Sequence, residues 1–273
     1  MIDTFEGIKI PQDIKDYLGD HPEDQHLSIM GDIVYREKPV SMEQFILDEN
    51  YLNQGRAIFP NLVPLLSYVD DPNIRKAFFL VGRGAGKSTS SAILLARGIY
   101  KLWCYRDARA FLGAIPGKEI VVINVSVSET QAKEGVFSIL KAIISNSPWF
   151  RDKFEIQQRK IFFDGNFVAI CGHSRSTSWL GFDIFTGVLD EANFLLDRKD
   201  KSNADVLYTA LQKSGVTRFP HHYKMVAISS AKEDGDFMTR KIKPIKDRRY
   251  SRVVVPGLEG LLKFRRRKDK ESA

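Results

Sequence analysis

The 273-residue chain is 43% hydrophobic, enough to bury a full core in one large domain or one domain with a small appendage, and no apolar stretch approaches the ~20 residues that cross a bilayer. Its amino terminus mixes acids and bases without a secretory signal, and two cysteines, Cys104 and Cys171, are too few for a disulfide framework or a closed zinc site, so a cytosolic setting follows. A net charge of +7 with a pI near 9.3 favours polyanionic partners but confers no sequence preference.

Residues 1–50 are polar, with a helical patch beginning near Met42, and are expected to form an arm. The apolar run from Lys76 to Val81 predicts a short strand ending in glycines, and Ile93, Leu94, Ala96 and Ile99 then recur at helical spacing over Lys87 to Trp103. Glu119 to Val125, rich in β-branched residues, predicts a second buried strand. Ser128 with Gln131 forms a capping box for the next helix, whose apolar face of Val136, Ile139, Leu140, Ile143 and Ile144 runs to Pro148. Ile156 to Phe163 and Asn166 to Ile170 flank the turn dipeptide Asp164-Gly165 and read as an edge hairpin. Ile184 to Leu189 predicts a strand, Ala204 to Leu211 a helix stopping before Gly215, and Tyr223 to Ser229 the last strong strand. Such alternation implies an α/β fold with a mainly parallel sheet, helices on both faces, and ligands at the carboxyl ends of the strands.

The chain is expected to divide into an arm (1–50), a core (51–235) and a basic C-terminal lid or linker (236–273). That last segment carries Lys241, Lys243, Lys246, Arg248 and Arg249 and the run from Lys263 to Lys268. It is either a solvated tail or a phosphate-backbone contact and linker.

Val81 to Thr89 sits where an apolar strand gives way to a helix, the context that a phosphate-binding loop requires. Converging backbone N–H groups need positive φ and close approach, which Gly82, Gly84 and Gly86 permit, with Ala85 between them. Lys87 is placed to reach the β and γ phosphates of ATP, and Ser88, followed by Thr89, to offer a hydroxyl to Mg²⁺ at the positive end of the helix. The strict loop pattern has glycine six places before the lysine, where this chain has Val81. Arg83 either contacts the phosphates in cis or faces solvent.

The strand ending in Asp190 and Glu191 supplies two carboxylates. Alone they read equally as helix-capping acids; joined to the loop, Asp190 is a Mg²⁺ ligand through the Ser88 shell and Glu191 the base that orients and deprotonates the attacking water. Ser229 and Ser230 end the last strand, either sensing the γ phosphate or making local turns.

Taken in order, these elements resemble the ATPase domain of the large terminase subunit of tailed bacteriophages, the motor that packages DNA into procapsids. The resemblance rests on the arginine-containing loop from Gly82 to Ser88, the segment Val188 to Ala192, and Ser229-Ser230, and covers about residues 50–235. It implies a P-loop NTPase of the RecA/ASCE-like type that binds ATP and Mg²⁺ and moves double-stranded DNA. It also implies a homo-oligomeric ring working with a portal protein and a small terminase subunit in the cytoplasm of the infected bacterial host, with no membrane partner. By the same resemblance, residues 124–131 match the family's strand-to-helix segment, and Gln54 is its adenine-reading glutamine or else an exposed helix glutamine. The family's arginine before a glycine is replaced by Leu180-Gly181, leaving Arg175 as the substitute for a group acting in trans on a neighbour's nucleotide. With only some forty residues after Ser230, no nuclease domain is expected. Another DNA-dependent P-loop ATPase, such as a helicase or repair translocase, remains an alternative reading. So does a basic nucleic-acid-binding assembly protein with a structural nucleotide.

Overall fold

The computed structural model describes residues 34–82, 84–176, 178–179, 181–196, 203–230, 232–233 and 235–242, with a short antiparallel pair of β1 (Thr4–Phe5) and β2 (Ile8–Lys9). Arg83, Leu180 and the basic run from Lys243 onward lie outside the described residues.

Seven strands make the main sheet: β3 (Lys76–Leu80), β4 (Ile120–Ser126), β5 (Phe154–Ile156), β6 (Lys160–Phe163), β7 (Phe167–His173), β8 (Asp183–Asp190) and β9 (Lys224–Ser229), in the order β3-β9-β8-β4-β7-β6-β5. The pairs from β3 through β7 are parallel, and β6 and β5 add antiparallel strands at one edge. β4 and β8 are buried along their entire length, as expected of parallel strands covered on both faces. Adjacent residues of β8 show the two layers. A Cβ on Gly98 of α3 (Lys87–Cys104) would meet Thr186 and Val122, whereas one on Gly187 would meet Met225 and Leu211 of α7 (Ala204–Arg218). α3 therefore packs on one face and α7 on the other.

The remaining described helices are α1 (Met42–Leu47), α2 (Leu62–Asp70), α4 (Ala108–Leu112), α5 (Glu129–Ala132), α6 (Ser138–Asn146) and α8 (Phe237–Ile242). Ser128 caps α5, its Oγ accepting from Gln131 N at 3.2 Å. The helix expected to run unbroken to Pro148 instead kinks at Gly135, whose φ of −84° and ψ of −112° leave the helical range. Part of the expected arm is core: Met42, Phe45 and Ile46 are buried, and Phe45 stacks on Tyr100 of α3.

Two other expectations are corrected. The edge hairpin is really three strands, and its last strand, β7, is interior because its buried apolar run pairs with β4. Its turn holds three residues rather than two, since Phe163 pairs with Phe167 and Gly165 and Asn166 both adopt positive φ. The helix beginning at Ala204 does not stop before Gly215 but passes through it to Arg218. A Cβ there would lie 2.9 Å from Tyr223, so the glycine serves close packing and not termination.

Candidate active site

β9 lies between β3 and β8, so the chain leaving it emerges between the glycine loop after β3 and the acidic pair ending β8. Three segments remote in sequence therefore meet at one edge of the sheet. Gly84 and Gly86 adopt φ of 75° and 77°, turning the loop as a phosphate cradle requires. Gly82 does not use positive φ, and a Cβ on it would meet nothing within 4 Å. Gly86 is close-packed as well, its virtual Cβ lying 2.8 Å from Leu62 and 3.3 Å from Phe59. The segment after Gln54 thus braces the loop, while the Gln54 amide donates to Leu52 O at 2.8 Å.

Lys87 begins α3, and its Nζ donates to Gly82 O at 3.2 Å and to Ser230 Oγ at 2.9 Å, with Glu191 Oε1 at 3.5 Å. Ser88 and Thr89 follow in the first turn, partly buried. The Glu191 carboxylate also accepts from Ser229 Oγ at 3.5 Å and from Ser230 N at 3.4 Å. Its backbone is left-handed, with φ 51° and ψ 48°, a conformation that is costly for a residue with a side chain. An open cavity of about 230 Å³ beside it is lined by Val127, Gln131, Glu191, Phe194 and Ser230.

Asp190 is 5% exposed. Burial, reinforced by the like charge of Glu191, raises its carboxyl to about 6, against the opposing pull of Lys87. Its Oδ2 accepts from Ser126 Oγ at 3.5 Å, and Ser126 Oγ accepts in turn from Asn124 Nδ2 at 2.9 Å. Oδ1 is buried with no hydrogen-bond partner among the described residues. A buried carboxylate oxygen left over in this way, close enough to Lys87 to feel its charge and with Ser88 the next residue of α3, fits the oxygen donor set of a magnesium ion.

Arg175 follows β7, exposed, on the same edge of the sheet but four strands from β3. It is not brought to Lys87. Two residues with no sequence signal complete the centre. Asn193 N donates to Ser229 Oγ at 3.1 Å, and its side-chain amide donates to Ser230 O at 2.8 Å and Asp236 Oδ2 at 2.7 Å. An asparagine past an acidic pair and an aspartate before a helix are too common to be singled out from sequence. A larger cavity of about 450 Å³ lies at the other end of the strands, against Trp103, Arg109 and Phe167. Its Arg109 is occupied with backbone carbonyls, among them Lys118 O at 2.6 Å, and neither the glycine loop nor the acids reach it.

No curated protein matches the chain. Among solved structures, the fold is similar to that of the HK97 bacteriophage large terminase, with 17% identity, a TM-score of 0.53, and coverage of 74% of this chain and 40% of that one. This chain thus spans less than half of that terminase, and the likeness establishes a shared fold. The N-terminal domain of the DNA packaging ATPase from bacteriophage phi29 is similar at 17% identity and TM-score 0.41, with 70% of this chain and 90% of that one covered. The phi29 viral genome packaging motor assembly gives 19% and 0.38, with 70% and 53% covered. A family model described as "Uncharacterized protein MJ0330, N-terminal P-loop domain" matches residues 23–254. Because that match runs through the glycine loop, the acidic pair and the serine pair alike, the chain belongs to this P-loop family.

Proposed function

We propose that the chain hydrolyses ATP and couples hydrolysis to movement of double-stranded DNA, as the motor domain of a large terminase packaging a viral genome. The observation that carries the hydrolytic part is the meeting of Lys87, Glu191 and Ser230 within 3.5 Å of one another's polar atoms. In this reading Lys87 leaves Gly82 O and Ser230 Oγ for the β and γ phosphates, whose charge outcompetes neutral acceptors. Glu191, released from the ammonium, orients the attacking water and takes its proton. Ser88 and Asp190 would hold magnesium, which when bound supplies Lewis acidity to the phosphate oxygens. The N–H groups of Gly82, Gly84, Ala85 and Gly86, with Thr89 in the first turn of α3, complete the phosphate cradle; Arg83 adds a guanidinium in cis, and Gln54 reads the adenine edge. Ser229 and Ser230 sense whether the γ phosphate is present.

The DNA part is supported by the net charge of +7 and by the fold shared with a phage terminase. A ring of copies on a portal, served by a small terminase subunit in the host cytoplasm, extends the same reading. No described helix is long and apolar enough to cross a membrane.

Steady-state turnover with and without duplex DNA, alongside titration of a fluorescent ATP analogue, tests the assignment. Glu191→Gln should bind the analogue normally and lose turnover by about 10²-fold or more, whereas Lys87→Ala should weaken both. Normal hydrolysis by Glu191→Gln would remove the carboxylate from the mechanism, and turnover indifferent to DNA would remove the motor.

A further inference from the structure

Glu191 is weakly held for a group that must aim a water molecule. Its three described side-chain contacts are all between 3.4 and 3.5 Å, and its backbone is in the left-handed region. Two of those contacts come from Ser229, the last β9 residue in register with Leu80, and from Ser230, one residue past the ladder. The firm bonds lie one step further out. Asn193 is 6% exposed. Its amide nitrogen grips Ser230 O and Asp236 Oδ2, and its amide oxygen accepts from Met238 N at 2.9 Å. Asp236 in turn accepts from Lys232 N and Thr239 N, capping α8. Every polar atom of the Asn193 side chain is thereby used to join the end of β9 to the start of α8.

We propose that Asn193 is a positioning residue for hydrolysis: it immobilises the Ser230 peptide, so that the serine pair holds the Glu191 carboxylate in its working rotamer. The inference rests on the ATPase reading above. Replacement of the amide frees Ser230 O, and with it the Ser230 N–H that holds Glu191, while Ser229 stays fixed by the Asn193 backbone N–H and by β3, and the glycine loop that binds phosphate is unchanged. The loss falls on the step that needs an aimed base, so kcat changes and nucleotide binding does not.

Asn193→Ala should lower kcat by tenfold or more, with KM and the affinity for a fluorescent ATP analogue within about threefold of the parent. A second variant, Asn193→Asp with Asp236→Asn, keeps the volume and the acceptor for Met238 N and reverses the polarity of the bond between the two side chains. It still offers Ser230 O no donor, and should show the same loss of kcat, with a lower unfolding temperature because the new amide nitrogen at position 236 cannot accept from every backbone N–H that the carboxylate caps. Single-turnover rates in a Glu191→Gln background give the readout that a purely structural role would not move: there, Asn193→Ala should add no further loss. Unchanged kcat in folded variants, an equal loss in the Glu191→Gln background, or failure of both variants to fold would each overturn the proposal. If the parent protein itself shows no turnover, the ATPase reading fails instead, so the two failures are distinguishable.

Discussion

Gly86 and Gly82 occupy the same loop yet carry different burdens. At Gly86 the φ of 77° and the closeness of Leu62 Cδ1, 2.8 Å from a virtual Cβ, act together. An alanine there pays about 1–2 kcal/mol for left-handed backbone alone, before the contact is relieved. Leu62 and Phe59 would have to move, and with them the segment that leads back to Gln54. Gly86→Ala is therefore expected to lower stability by about 2 kcal/mol in urea unfolding and to weaken binding of an ATP analogue. Gly82→Ala, with open space around its Cβ and no positive φ, should stay within about 0.5 kcal/mol of the parent. Equal costs at the two positions would show that the loop is not shaped as described.

Between elements, a buried charged contact joins α2 to α3. Asp70 ends α2 and receives Arg97 Nε at 3.1 Å and Nη2 at 2.8 Å, with Lys101 Nζ at 2.8 Å. Burial by itself would raise the Asp70 carboxyl, but Lys101 and Arg97 overcome it and hold it at about 2, against an ordinary 3.8. Because the folded value lies below the unfolded one, the associated stability, about 2 kcal/mol, is present above pH 4 and is lost as the pH falls through 4 towards 2. Asp70→Asn should flatten that part of the acid-unfolding curve and, by stranding the buried Arg97 guanidinium, cost about 3–5 kcal/mol at neutral pH. Contacts of this kind mark the limit of what local pattern reveals. The β3-loop-α3 unit and the acid-terminated β8 were legible because strand, glycines, lysine and helix follow one another within a few residues. Placing β7 inside the sheet depends on pairing with β4, more than forty residues earlier. The run of α7 through Gly215 depends on the ring of Tyr223. Asn193 and Asp236 acquire meaning only when the ends of β8 and β9 lie side by side.

At the scale of the whole molecule, the sheet order decides what one copy can do alone. Four strand spacings separate β7, which leads into Arg175, from β3, which leads into the glycine loop; at about 4.8 Å each they amount to roughly 19 Å. An arginine side chain extends about 7 Å, well short of that separation between the two strand ends. Arg175 lies nonetheless on the sheet edge where a phosphate on Lys87 would sit, exposed, after a strand whose end is tied to the β4 loop through Ser174 Oγ and Val127 O at 3.0 Å. In the ring proposed above, a group so placed would face the nucleotide of an adjacent copy. Trans-acting arginines in related enzymes are worth about 10³ to 10⁵ in rate, so Arg175→Ala should reduce turnover by at least a hundredfold and leave analogue binding intact. The decisive measurement is a mixture. Lys87→Ala copies keep Arg175 but cannot hold nucleotide, and Arg175→Ala copies hold nucleotide but lack the guanidinium. Combined at concentrations where copies associate, they should regain activity that neither has alone, rising with total protein as pairs form. If the mixture stays inactive while each variant remains folded and able to associate, the rate-enhancing arginine is not Arg175.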